Sequence, residues 1–177
     1  ALPMGGFAAP ARRDLAAIAG TVHERLVDER EAWPPDAGKH EIRLDIDGIV
    51  LEDWLSDLRA NGAGRLAALL PSPSGVLDAD GVPRSHRLVM PWVEHLVAQA
   101  AGLAVETLYI GPDATIVMSP IDVNEARAML AVLLAEWREG MTRPLPVAVR
   151  SAIAWLAGDA DDAPRRARAA YEGTSDR

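Results

Sequence analysis

The chain contains no cysteine. That excludes a disulfide framework and a thiolate metal site, and it fits a reducing, cytoplasmic setting. No apolar run is long and uncharged enough to cross a bilayer, so no membrane partner is expected. The opening ALPMGGFAAPARRD places no basic segment ahead of an apolar one and is not expected to be a signal peptide. Positive charge is scarce: 18 Lys and Arg against 26 Asp and Glu leave a net charge of −8. A domain that grips nucleic acid by itself usually carries a basic balance or a basic face. Whole-chain charge therefore argues against tight, independent DNA binding and for a protein partner. Aromatic content is thin too, and five tryptophans against one phenylalanine supply most of it.

What remains is one domain's worth of ordinary globular sequence. The 177 residues, 49 % hydrophobic and 25 % charged, suffice for one domain with a real core. The stretch EIRLDIDGIVLEDWLSDLRANGAGRLAALLPS, residues 41–72, is the most legible. Asp47-Gly48 is a hairpin dipeptide, because glycine takes positive φ freely and aspartate tolerates it. A second turn lies at residues 60–64. The spacing predicts antiparallel strands over 40–46, 49–58 and 65–70, with Ile42, Leu44 and Ile46 facing a core.

Around this meander the pattern predicts helices. The first runs from Pro10 to about Glu31 on a stripe of Leu15, Ile18, Val22 and Leu26, and Trp33-Pro34-Pro35 ends it. A long loop, 71–84, precedes a helix from Ser85 to Ala101, which Pro91 should kink or start. Strands over 105–110 and 114–118 form a second hairpin. Asp122 caps a helix to Gly140 whose stripe is Ala126, Met129, Leu130, Leu133, Leu134 and Trp137. Short helices follow over 147–157 and 164–171. The order α-β-β-β-α-β-β-α-α-α predicts an α/β fold, a mixed β-sheet flanked by helices in a single domain over 1–177. With no closing element after residue 174, the domain is expected to lack its final segment.

The meander resembles the core of restriction-endonuclease-like nucleases, the PD-(D/E)XK type, with the catalytic groups missing. In such enzymes carboxylates from two strands hold a divalent cation and a lysine steadies the nucleophile or the phosphate. Here Asp53-Trp54-Leu55-Ser56 puts Ser56 at one carboxylate position. Leu70-Pro71-Ser72 puts Leu70 at the other and Ser72 at the lysine. A neutral trio of that kind cannot hold Mg²⁺ tightly, so neither a catalytic residue, a metal nor another cofactor is expected.

Further motifs come in order: residues 2–7 (LPMGGF), Asp53-Trp54-Leu55, Trp92-Val93-Glu94-His95-Leu96-Val97, Arg138-Glu139-Gly140-Met141 with Pro144-Leu145, Ala154-Trp155-Leu156, and Ala169-Ala170-Tyr171-Glu172-Gly173. On these the chain resembles the C-terminal domain of the RecC family, the gamma subunits of exodeoxyribonuclease V. The resemblance implies a non-catalytic scaffold and strand-guiding domain. Its setting would be an ATP-driven helicase–nuclease that processes double-strand DNA ends for recombination repair. The implied partners are the beta and alpha subunits (RecB and RecD type), with DNA bound as part of the complex. Two other readings stand beside it. One is an active Mg²⁺ nuclease using Asp45, Asp53 and Asp57 from the cluster that also holds Asp47 and Glu52. The other is a purely protein-interacting domain.

Individual residues divide the same way. Acidic clusters are more often solvated surface than catalytic. His23, His40, His86 and His95 lack metal-ligand spacing, and His95 on an apolar face reads as a hydrogen-bonded core or interface residue. Trp54, Trp92, Trp137 and Trp155 lie in apolar stripes and are expected in the core, whereas Trp33, beside two prolines, is expected to be partly exposed as an interface anchor. Arg65, Arg84 and Arg87 flank the degenerate site as candidates for phosphate contact or as plain surface arginines.

Overall fold

In the computed structural model, which describes residues 8–144 and 148–173, Asp47 and Gly48 both take positive φ, 50° and 76°. This is the pair of conformations a two-residue hairpin turn needs to match strand twist. The turn joins β1 (Asp36–Ile46) to β2 (Ile49–Ala60), and β3 (Leu66–Pro71) completes the meander. Helix α1 (Ala8–Ala32) precedes it; α2 (Ser85–Ala100), β4 (Val105–Ile110), β5 (Thr115–Met118), α3 (Val123–Gly140), α4 (Val149–Leu156) and α5 (Ala163–Glu172) follow. The expected order of elements holds. Residues 1–7, 145–147 and 174–177, which carry the LPMGGF motif, Leu145 and the chain's last four residues, lie outside the described residues.

The five strands form one mixed sheet in the order β1-β2-β3-β4-β5, antiparallel at each joint except β3–β4, which is parallel. A parallel neighbour needs a crossover, and α2 supplies it. Ile42, Leu44 and Ile46 pack with Leu96 and Ala100 of α2 and with Ala126 and Leu130 of α3. The opposite face of β3 and β4 carries Ala67, Leu69, Leu108 and Ile110, closed by Trp33 and Leu26 at the end of α1. The sheet is thus covered on both faces at its centre.

Several boundaries shift for local reasons. β1 begins at Asp36, earlier than expected, because Asp36 and Gly38 rejoin the ladder across a bulge. Pro91 does not divide α2. It removes a single ladder hydrogen bond, and the helix is held by its buried face of His95, Leu96, Ala98 and Gln99, with Gln99 Nε2 donating to the Val105 carbonyl at 2.7 Å. Asp122 caps α3 as expected, accepting from the amides of Asn124 and Glu125 at 2.8 and 3.2 Å. The buried side of α3 is narrower than its stripe: Ala126 and Leu130 are buried, while Met129 and Leu133 are exposed. On α1 only Val22 of the expected four is buried, and Leu15 is exposed.

The tryptophan expectations reverse. Trp33 is 6 % exposed and belongs to the core, whereas Trp54, Trp137 and Trp155 are 58 %, 56 % and 50 % exposed. Arg59 causes the first reversal. Its Nε donates to the Trp33 carbonyl at 2.5 Å and its Nη2 to the Pro34 carbonyl, which folds the post-helix segment onto the sheet.

The 71–84 excursion is fastened at its middle. The Asp113 carboxylate, in the β4–β5 turn, accepts from the amides of Val76 and Leu77 at 2.7 and 2.9 Å. Burial pushes its pKa up, but hydrogen bonds from Leu77, Val76, its own amide and Ala114 bring it below the ordinary carboxylate value. A Cβ on Gly75 would stand 2.8 Å from that carboxylate, so a larger residue there must displace the Asp113 side chain. Among the described residues, no helix is long and apolar enough to cross a membrane.

Candidate functional site

Two of the three positions expected to form a degenerate site, Ser56 and Leu70, flank a wedge between β2 and β3. Leu55 pairs with His40 and Leu58 with Gly38, so Ser56 and Asp57 together face one residue of β1. This is a bulge, and Asp57 takes φ 57° to make it. The bulge brings Leu58, fully buried, back to the core side. Pairing of β2 with β3 runs from Ala60–Leu66 to Leu58–Ala68 and stops, while β3 stays on β4 as far as Pro71. The two strands therefore part, leaving a cavity of about 230 Å³ with Ser56 and Leu58 on one wall, Ala68 and Leu70 on the other, and His95 and Ala98 of α2 behind. Asp53 and Glu94 are its carboxylates.

Ser72 lies past the end of β3. Its amide donates to the Ile110 carbonyl at 2.8 Å, its Oγ accepts from the Tyr109 hydroxyl at 3.0 Å and from the Ser74 amide at 3.2 Å, and the residue is buried. It faces a second, more open cleft of about 600 Å³. Leu70 and Glu94 line both cavities. The structure therefore sets Ser56 and Leu70 across one wedge, with Ser72 next door in the adjoining cleft.

The expected carboxylates do not converge as a set, and Arg65 stands apart from Arg84 and Arg87. Arg65 pairs with Glu106 at 2.5 Å and lies over the Trp33 ring at 5.8 Å. Arg84 Nε donates to the Leu77 carbonyl at 2.6 Å and Arg87 Nη1 to the Gly75 carbonyl at 2.7 Å. Trp33, buried beneath α1, is not an exposed interface anchor in this chain. Asp45 accepts from the Gly48 amide, Asp53 borders the wedge, and Asp57 borders a separate small pocket with Arg30 and Arg59. Among the described residues, no three His, Cys, Asp or Glu side chains come together as a metal set.

The model of the RecC C-terminal domain family matches residues 1–160. This chain belongs to that family. It is 30 % identical over 134 residues to the RecBCD enzyme subunit RecC of Escherichia coli (strain K12), a match that covers 75 % of this chain and 11 % of that protein. The resemblance carried by the tryptophan and glycine motifs is thereby established, and the chain spans about a tenth of the curated relative it matches.

In this RecC-family domain His95 is the buried titratable group behind the wedge. Its Nδ1 lies 2.9 Å from Thr107 Oγ1, its ring stacks on Trp92 at 5.4 Å, and its buried Nε2 has no hydrogen-bond partner among the described residues. Burial lowers its pKa from 6.5, and the Ser119 backbone only partly opposes this. A histidine whose folded pKa is depressed binds its proton more readily when unfolded. Stability is therefore full above the unfolded pKa of 6.5 and lost as pH falls below it. His86 is shifted the same way but is more exposed. Urea midpoints from pH 8 to 5 are expected to drop below pH 6.5 in the parent and to drop less in His95→Gln; equal slopes would show that His95 titrates freely in the fold.

Sequence reasoning passed over Glu94, Tyr109 and Arg150. Glu94 stands in the apolar window of α2. Tyr109 could have been found from strand alternation, which puts it on the same face as Thr107 and Val105. Arg150 could not, since only tertiary packing brings α4 beside the start of α2.

Proposed function

We propose that this domain is a non-catalytic, nuclease-like module of a RecBCD-type helicase–nuclease. In that assembly it scaffolds partner subunits and guides DNA strands while double-strand ends are processed for recombination repair. One observation carries the reading. The strands that part to form the wedge present a hydroxyl and an isobutyl group, Ser56 and Leu70, where a phosphodiester-cleaving site needs oxygen anions. The lysine position is filled by Ser72, whose hydroxyl is occupied by Tyr109 and Ser74. Lys39, the one lysine of the sequence, lies on β1. The succession α1-β1-β2-β3-α2-β4 with β3 parallel to β4 supports a restriction-endonuclease-like core.

The scaffold half draws support from surface chemistry. Val132, Leu133 and Trp137 of α3 and Trp155 and Leu156 of α4 are exposed, and large apolar side chains left in water on two helices support protein contact there. The partners that fit are the beta and alpha subunits, of RecB and RecD type. A rearranged nuclease built on Asp45, Asp53 and Asp57 finds no support in their separate settings.

The purified chain is expected to leave linear duplex and single-stranded DNA intact in millimolar Mg²⁺ or Mn²⁺. Magnesium-dependent cleavage that disappears in Asp53→Asn would overturn the reading.

A further inference from the structure

Positive charge in this acidic chain gathers at one end of α2. Arg84 and Arg87 bracket the first turn, His86 lies between them, and Arg150 of α4 stands close enough to act on His86. The cleft of about 600 Å³ beside them is lined by His86, Arg87, Met90 and the hydroxyl-bearing Ser72, Ser74 and Tyr109. Arg84 and Arg87 each commit one guanidinium nitrogen to a backbone carbonyl of the 71–84 loop, at Leu77 and Gly75. Those bonds fix the side chains and leave their remaining N–H groups without partners among the described residues. The first turn of α2 has no capping side chain and no acid. Glu94 is the carboxylate of the cleft, and it sits toward the wedge, whose wall it shares.

Like charges held together without a counter-charge repel one another. Burial, then Arg150, Arg87 and Arg84, hold the His86 pKa below its ordinary value. A bound anion relieves that repulsion and accepts the free guanidinium donors in the geometry arginine offers to phosphate oxygens. The cavity volume lies within the range of small-ligand sites, about 300–1,000 Å³, and suits a nucleotide unit rather than a duplex. Leu70 and Glu94 border both the wedge and this cleft, so the two cavities adjoin.

We infer that the cleft between the end of β3 and the start of α2 holds a backbone phosphate of single-stranded DNA, gripped by His86 and Arg87 of its lining, with Arg84 and Arg150 adding positive charge beside it and Met90 and Tyr109 against the adjoining nucleoside. This rests on the strand-guiding reading and names its contact point.

The test uses the whole chain and a fluorescein-labelled oligothymidylate, titrated over a series of salt concentrations. Arg150 is exposed and has no hydrogen bond to the described residues, so Arg150→Gln leaves the fold intact; His86→Gln is combined with it. The parent is expected to bind at low salt. Arg150→Gln is expected to lower the slope of log affinity against log salt by about 0.7, and the double variant to weaken binding about tenfold. Arg13→Glu, on α1 across the sheet, is expected to bind like the parent. Unchanged slopes in Arg150→Gln with binding retained overturn the proposal and leave strand guidance to another surface. Equal loss in Arg13→Glu also overturns it, because attraction is then diffuse. Absence of binding by the parent overturns it as well; photo-crosslinking of a forked substrate to this domain in the assembled complex would then keep or end the strand-guiding reading separately.

Discussion

Replacing Trp33 by alanine is expected to destabilise the domain by about 3–5 kcal/mol, the usual cost of truncating a buried tryptophan. Its ring fills the space between α1 and the β3–β4 half of the sheet against Ala67, Leu69, Leu108 and Ile110. All four lie on β3 and β4, and Leu26 of α1 is the partly buried apolar side chain that shares their cover. Arg59, whose guanidinium holds the carbonyls of Trp33 and Pro34, keeps the backbone in place when the ring is gone and so prevents collapse. For a chain of this size such a loss lowers the melting temperature by roughly 6–20 °C. Trp54→Ala and Trp155→Ala, at half-exposed positions, are expected to cost no more than about 1 kcal/mol. Urea midpoints of the three variants decide the matter: if Trp33→Ala unfolds no earlier than Trp54→Ala, α1 does not pack as described.

Placing acids in the wedge is expected to create a cation site; among the described residues of the parent no three His, Cys, Asp or Glu side chains come together as one. Ser56 is exposed and Leu70 half-buried, so Ser56→Asp combined with Leu70→Glu adds two carboxylates on facing walls without burying an isolated charge. Asp53 and Glu94 already border the same cavity. Hard divalent cations take such oxygen sets, and a set not shaped for the ion binds with a dissociation constant on the order of 0.1–1 mM. Calorimetric titration with Mn²⁺ is expected to show one saturable site in the double variant and none in the parent. A folded double variant that stays silent would mean that Ser56 and Leu70 do not occupy the corresponding positions of a cation-binding wedge, and the nuclease ancestry would lose its support. The lysine position is a separate matter, because Ser72 is buried and hydrogen-bonded; a lysine there would sacrifice the Tyr109 contact, and cleavage is not expected to return with the metal.

The order of elements, the Asp47-Gly48 turn and the Asp122 cap were legible because each rests on chemistry within a few residues. The width of a buried stripe was not. Spacing on α3 marks a direction, but whether Met129 and Leu133 are covered depends on what lies opposite, and only Ala126 and Leu130 are buried. Trp33 was misjudged because two prolines announce a loop, and a loop residue is buried only if something distant draws it in; here Arg59 does so. The wedge was half readable. Leu55 and Leu58, three apart across Ser56-Asp57, break the alternation of β2, and that break is the sequence mark of the bulge at the site. The cationic cluster was half readable too, since Arg84 and Arg87 stand together in sequence and Arg150 joins them only through packing.

The two walls of the wedge have unlike origins. One belongs to a ribbon whose partner strand is its immediate neighbour along the chain. The other is held over its full length by β4, reached only after the whole of α2. Hairpins close quickly, whereas contacts between distant segments wait on loop closure. The gap is thus set late in folding, by a strand that lends it only Val105 and Thr107. Substitutions at Leu108 and Ile110, on the far face of β4, will widen or narrow the opening from behind, so its dimensions can drift between homologues while every residue that lines it stays the same.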